Sequence, residues 1–121
     1  MKVLIVDDDE ALGSVFETAL QKNGLQTVFS LNGKGGIDKA KTEKPDLILL
    51  DQVLPDISGN EVLKTLKADP LTQNIPIIIL SNFSQEVLVK EAIDNGAMDY
   101  VFKYQVEPSD LVNKVKQALK I

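Results

Sequence analysis

Apolar positions along the chain alternate between two patterns, which together predict five strand-then-helix units. Candidate strands cover residues 3–6, 25–30, 47–50, 77–80 and 100–102. Three of them, Val3-Leu4-Ile5-Val6, Leu47-Ile48-Leu49-Leu50 and Ile77-Ile78-Ile79-Leu80, are unbroken aliphatic runs. Strands read this way when both faces of a parallel sheet are covered. Residues 25–30 are more polar, which predicts an edge strand. Leu12, Val15, Phe16, Ala19 and Leu20 share one helical face, with Gly24 as a stop. Ile37 and Ala40 predict a weaker helix, because Gly33, Gly35 and Gly36 each lower helix propensity by about 1 kcal/mol relative to alanine. Val62, Leu63 and Leu66 mark a third helix, ended by Asp69-Pro70. Val87, Leu88, Ala92 and Ile93 mark a fourth, with Ser84 as N-cap and Asn95-Gly96 as stop. Leu111, Val112, Val115, Ala118 and Leu119 mark a fifth, entered through Pro108-Ser109. Such a series implies an α/β doubly wound fold with right-handed crossovers.

With 121 residues the chain is expected to form one domain, residues 1–121, and 44% hydrophobic with 26% charged residues argues against disorder, collagen and coiled coil. All 13 basic residues are lysines and 18 residues are acidic, for a net charge of −5. An acidic chain without arginine is a poor grip for nucleic acid and a poor polybasic membrane binder. The chain has 0 Cys and 0 His, which excludes disulfides, thiolate or imidazole catalysis and Cys/His metal sites. The first apolar run meets acid at Asp7, too early for a signal peptide, and no run approaches a membrane span. These features predict a soluble cytoplasmic protein with no membrane insertion.

What ends each apolar run carries the chemistry. Val6 is followed by Asp7-Asp8-Asp9-Glu10, Leu50 by Asp51, Leu80 by Ser81 and Phe102 by Lys103. In a parallel sheet all of these arrive at one rim, where open α/β sheets bind ligands. Clustered carboxylates repel one another unless a cation enters, and an all-oxygen ligand set suits Mg²⁺. A lysine and a hydroxyl opposite the metal would complete a cradle for a phosphoryl group, with Asp51 able to act as the nucleophile. Each residue also has an ordinary structural explanation. Asp9 or Glu10 reads best as a helix N-cap, Asp46 as part of a turn, Ser81 alone as local hydrogen bonding, and Lys103 alone as solvated surface. The set, in strand order, favours the functional reading.

That set resembles the receiver domain of two-component response regulators over essentially the whole chain. The resemblance rests on Asp7-Asp8, Asp51, Pro55 and Gly59 in the following loop, Ser81, Gly96-Ala97-Met98-Asp99-Tyr100, and Lys103. It implies a flavodoxin-like five-stranded sheet of order 2-1-3-4-5 with five helices. It also implies that Asp51 accepts phosphate from a sensor histidine kinase or histidine phosphotransfer protein. Asp7, Asp8, Asp51 and the Val53 backbone carbonyl would hold Mg²⁺, while Lys103 and Ser81 would contact the phosphoryl oxygens. Ser81 and Tyr100 would act as the switch, read by a downstream protein target on the face of helix four, strand five and helix five. Receivers often dimerise through that face, so a homodimer is open. On this reading the protein catalyses only its own phosphorylation and dephosphorylation.

Departures from the family pattern sharpen the expectations. Tyr104 stands where the family usually has a cis proline, predicting a trans Lys103–Tyr104 bond and a rearranged loop through Glu107. Asn82 replaces a small residue and narrows access to the phosphate. Val53 and Phe83 are apolar and offer nothing to orient an attacking water, predicting a long-lived acyl phosphate. Three alternatives stay open. A Mg²⁺-dependent aspartyl-nucleophile phosphotransferase would want an acid at Val53. A flavodoxin-like cofactor carrier would be repelled by Asp7-Asp8-Asp9-Glu10. A degenerate receiver would act by protein contact only. Whether the chain works alone or within a longer regulator is equally open.

Overall fold

The computed structural model describes residues 1–82 and 86–121. The expected Ser84 cap and Phe83 lie outside the described residues. The chain runs β1 (Lys2–Val6), α1 (Glu10–Lys22), β2 (Gln26–Ser30), α2 (Gly33–Glu43), β3 (Leu47–Asp51), α3 (Gly59–Ala68), β4 (Ile77–Ser81), α4 (Glu86–Asp94), β5 (Asp99–Phe102) and α5 (Pro108–Leu119). The strands form one parallel sheet of order β2-β1-β3-β4-β5, the order expected from the resemblance.

Period-two alternation splits the aliphatic runs into two cores, one on each face of the sheet. Leu4, Val6, Ile48, Leu50, Ile77 and Ile79 pack with Ala40 of α2, Val62, Leu63 and Leu66 of α3, and Ala92 of α4. Val3, Ile5, Leu47, Leu49, Ile78 and Leu80 face the other way, onto Phe16 and Leu20 of α1 and Leu111, Val112 and Val115 of α5. The unbroken runs therefore reflect burial on both faces. At the β2 edge, Lys39 Nζ donates to the Phe29 carbonyl and occupies a group that another strand could pair with.

Periodicity misplaced a few residues. Val15 is half exposed, in an open groove beside Ser14, Thr18 and Pro108. The inward face of α1 instead runs through Gly13, Phe16 and Leu20. Gly13 is required there because the Phe29 ring lies 2.4 Å from where a Cβ would sit. On α4, Val87 and Ile93 point outward and Val89 packs toward the core with Ala92.

The expected weak helix is a full α2 of 11 residues. Its first four amides are all satisfied. Asp56 Oδ1 accepts from Gly33 N (2.8 Å) and Oδ2 from Lys34 N (2.9 Å). Asn32 Oδ1 accepts from Gly35 N (2.7 Å) and the Asn32 carbonyl from Gly36 N (3.0 Å). Capping from outside the helix offsets the propensity deficit of the glycines. Among the described residues every peptide bond is trans, including Lys103–Tyr104. The segment after Lys103 closes on β5 through Gln105 N and Val106 N, which both donate to the Phe102 carbonyl (3.0 and 3.1 Å).

Candidate functional site

The carboxyl ends of β1, β3, β4 and β5 meet as the parallel sheet requires. Asp7 leaves β1 fully buried, its N–H donating to the Ser30 carbonyl at 3.0 Å. Its Oδ1 accepts the Asp9 amide at 2.9 Å, and Asp9 Oδ1 in turn accepts the Leu12 amide at 3.1 Å. Asp9 is thus the N-cap of α1, as its ordinary reading predicted, and the turn it completes leaves Asp8 exposed at the rim. Asp51 ends β3 in register with Leu80, and Ser81 ends β4 in register with Phe102. Asp51 and Ser81 are both buried. Asp46 lies in a bend after left-handed Lys44 and accepts the Lys2 amide at 2.8 Å, at the opposite end of the strands.

Lys103 is only 4% exposed, so the solvated-surface reading of this lysine does not hold. Its ammonium donates to Asp7 Oδ1 at 3.0 Å and to Asp51 Oδ2 at 3.3 Å. Asp7 Oδ2 lies 2.9 Å from the same nitrogen yet has no aligned hydrogen bond, so it is ion-paired but not hydrogen-bonded. Burial alone would lower the Lys103 pKa; the Asp7 hydrogen bond and the charges of Asp51 and Asp7 outweigh it and hold the pKa above 10.5. The Asp51 carboxyl is pushed up from 3.8 to about 7, first by burial and then by the Asp7 charge, against the lowering pull of Lys103.

Asp7, Asp8 and Asp51 each present a carboxylate oxygen within 4.8 Å of the others. Among the described residues no other group of three acidic side chains does so. Asp8 and Asp51 open into a cavity of about 320 Å³ lined also by Asp9, Val53, Asn82, Lys103 and Tyr104, with Asp7 buried behind it. Larger grooves, about 790 Å³ between α1 and α2 and about 540 Å³ beside β5 and α5, lie away from these carboxylates. One lysine cannot neutralise three carboxylates, and a buried Asp7 oxygen has no hydrogen-bond donor. The donors are all hard oxygens, and the set fits a Mg²⁺ ion. Val53 stands at the rim, half exposed, its amide 3.4 Å from Asp51 Oδ1. Asn82 and Tyr104 are exposed on the same rim. Tyr100 is buried, its ring edge-on to Phe102 at 5.8 Å.

The loop after Asp51 is pressed against it. Gly59 N donates to the Gln52 carbonyl at 2.9 Å, and a Cβ on Gly59 would sit 2.3 Å from the Asp51 carbonyl and 2.8 Å from Gln52 Cα. Both obstacles are backbone. Gly59→Ala should therefore lower stability by about 2 kcal/mol, read as a lower urea midpoint with unchanged m-value. One residue of this loop had no role assigned from sequence: Asp56, whose helix-capping partners are 22 and 23 residues away. Nothing in its local sequence marks that contact.

Comparison with known proteins agrees with this geometry. The family model described as the response regulator receiver domain matches residues 3–116. The alkaline phosphatase synthesis transcriptional regulatory protein PhoP of Bacillus subtilis is 34% identical over 119 residues, 98% of this chain and 48% of its own length. The chain spans about half the length of the curated relatives it matches. A response regulator receiver domain protein (CheY-like) from Methanospirillum hungatei superposes with a TM-score of 0.91 at 28% identity, over 98% of this chain and 93% of that one. The BeF3-activated N-terminal receiver domain of Klebsiella pneumoniae RstA gives 0.91 at 26% identity over 100% of both chains. The fold, the acidic pocket and the family match agree, and the chain belongs to the response regulator receiver domains of two-component systems.

Proposed function

We propose that residues 1–121 act as one phosphoacceptor module in which Asp51 takes a phosphoryl group from a phosphohistidine on a sensor histidine kinase or histidine phosphotransfer protein. The observation that carries this reading is a buried Asp51 carboxylate 3.3 Å from the Lys103 ammonium, with the Asp7 and Asp8 oxygens beside it. An Asp51 oxygen attacks phosphorus in line. The new O–P bond forms as the donor P–N bond breaks, and the imidazole leaves with the electron pair and takes a proton from water. Lys103 pairs with one phosphoryl oxygen, and the Ser81 hydroxyl donates to another. Asp7, Asp8, Asp51 and the Val53 backbone carbonyl would hold Mg²⁺, which when bound supplies charge neutralisation at the phosphoryl oxygens.

The added dianion then favours one arrangement of Ser81 and Tyr100. The surface of α4, β5 and α5 passes that difference to a downstream protein. A net charge of −5 with no arginine argues against direct binding to nucleic acid. Among the described residues no helix is long and apolar enough to cross a membrane. The chain turns over no metabolite, since Val53 leaves the phosphotransferase alternative without its second acid.

The test is incubation with a small acyl phosphate or a phosphohistidine donor, with and without Mg²⁺. The expected result is Mg²⁺-dependent phosphoryl mass on the peptide that carries Asp51. Labelling elsewhere, or none, would refute the proposal. Val53 at the rim presents no polar group to an attacking water, so the acyl phosphate should persist well beyond seconds after donor removal. Val53→Asn should speed its loss on the order of tenfold by orienting that water. Decay within seconds in the unaltered protein would contradict this.

A further inference from the structure

We infer that Asp56, an exposed residue of the loop that follows Asp51, is a positioning residue that sets the spacing between the two halves of the cation site; this rests on the function proposed above. One half, Asp7 and Asp8, follows β1. The other, Asp51 with the Val53 carbonyl, begins the loop that leads to α3. Asp56 stands in the middle of that loop and grips the first turn of α2 with both carboxylate oxygens, at 2.8 Å to Gly33 N and 2.9 Å to Lys34 N. These two amides hold its carboxyl well below the ordinary carboxylate range, at about 2, so the grip is charged across the physiological range.

The contact extends beyond the two hydrogen bonds. Ile57, the next residue, lies against Gly33, where a Cβ would come within 2.5 Å of its Cγ1. One turn on, Gly36 is seated against Val6, where a Cβ would come within 2.8 Å of Cγ2. Val6 directly precedes Asp7. A continuous path therefore runs from the loop through Asp56, the start of α2 and Val6 to the acids after β1. With the carboxylate removed, the loop loses its only described hydrogen bonds to α2, and Val53 is free to drift relative to Asp7 and Asp8. Outer groups that orient metal ligands typically change metal affinity 10–100-fold.

The experiment is calorimetric titration of the full chain with MgCl₂, on wild type, Asp51→Asn, Asp56→Ala and Asp56→Asn. Asp56→Ala should bind Mg²⁺ about tenfold more weakly while still folded by circular dichroism. Asp56→Asn keeps one acceptor and should lose less. With acyl phosphate as donor, the Mg²⁺ concentration for half-maximal labelling should rise in both, while the rate at saturating Mg²⁺ stays near wild type. Simple destabilisation would lower the labelled fraction without moving that midpoint. In wild type, Mg²⁺ should slow hydrogen exchange at Gly33 N and Lys34 N, because coupling between the sites is reciprocal. That measurement decides the matter if both variants fail to fold. Wild-type affinity in the Asp56 variants, an unmoved midpoint, or exchange unaffected by Mg²⁺ would overturn the inference alone. Failure of wild type itself to take up Mg²⁺ would bring down the functional proposal as well.

Discussion

Asp51→Asn should abolish phosphoryl incorporation and, in the absence of divalent cation, make the protein more stable than wild type by about 2 kcal/mol near pH 8. The first effect is loss of the attacking oxygen; the second follows from the cost of burying its charge. The Asp51 carboxyl has a folded-state pKa of about 7 against 3.8 in the free chain, chiefly because it is buried. Between those values the folded protein retains a proton that the unfolded chain has released. Stability therefore falls as pH rises from about 4 to about 7 and stays low above that. The full shift corresponds to about 4 kcal/mol, and water at the open mouth of the pocket reduces it to roughly half. Asparagine carries no charge to bury, so the gain should be near zero around pH 4 and reach its full size near pH 8. Thermal unfolding across that range, with EDTA present, checks it: about 2 kcal/mol is several degrees for a chain of this size. Mg²⁺ should reverse the order, because an ion that binds the folded wild type more tightly stabilises it more. Equal stabilities near pH 8 would mean that Asp51 is not held at the cost described.

The residues that make this site expensive are those whose surroundings were hardest to read. Three aliphatic strands were legible because burial on both faces leaves no polar position in them; the acids and Ser81 were legible as the residues that end those runs, and Lys103 as the residue that ends the fifth strand. Their convergence follows from parallel strands alone. The burial of Lys103 was not legible, since it depends on Asp7 and Asp51 closing over a side chain that would otherwise be solvated. Val15, Val87 and Ile93 fit the apolar spacing of their helices yet face outward. Spacing identifies a stripe but not which of its flanks meets the sheet. The three glycines of α2 lower helix propensity as judged locally, and part of what offsets them, the two acceptors of Asp56, comes from across the fold. Tyr104 was readable as a departure in sequence, and its place on the pocket rim emerged only with the loop that follows it.

Lys103→Met should be the most damaging single change at this rim, lowering metal-free stability by about 3 kcal/mol near pH 8. The ammonium is 2.9 to 3.3 Å from oxygens of Asp7 and Asp51, and it is the one cation among their described partners. Methionine fills a similar volume but leaves both carboxylates buried without a counter-charge. Asp51 would answer by holding its proton to still higher pH, which limits the loss and makes it shrink as the pH falls toward about 5. Phosphoryl incorporation should fall on the order of a hundredfold even with Mg²⁺ saturating, because a charge aimed at the transferring group is missing. The decisive comparison is the double variant Lys103→Met with Asp51→Asn. Removing the second carboxylate charge should restore most of the lost stability, giving a coupling of at least about 1 kcal/mol between the two sites in urea unfolding. If the two changes simply add, Lys103 stabilises the fold through the packing of its stem, and the electrostatic account of the pocket fails at its central contact.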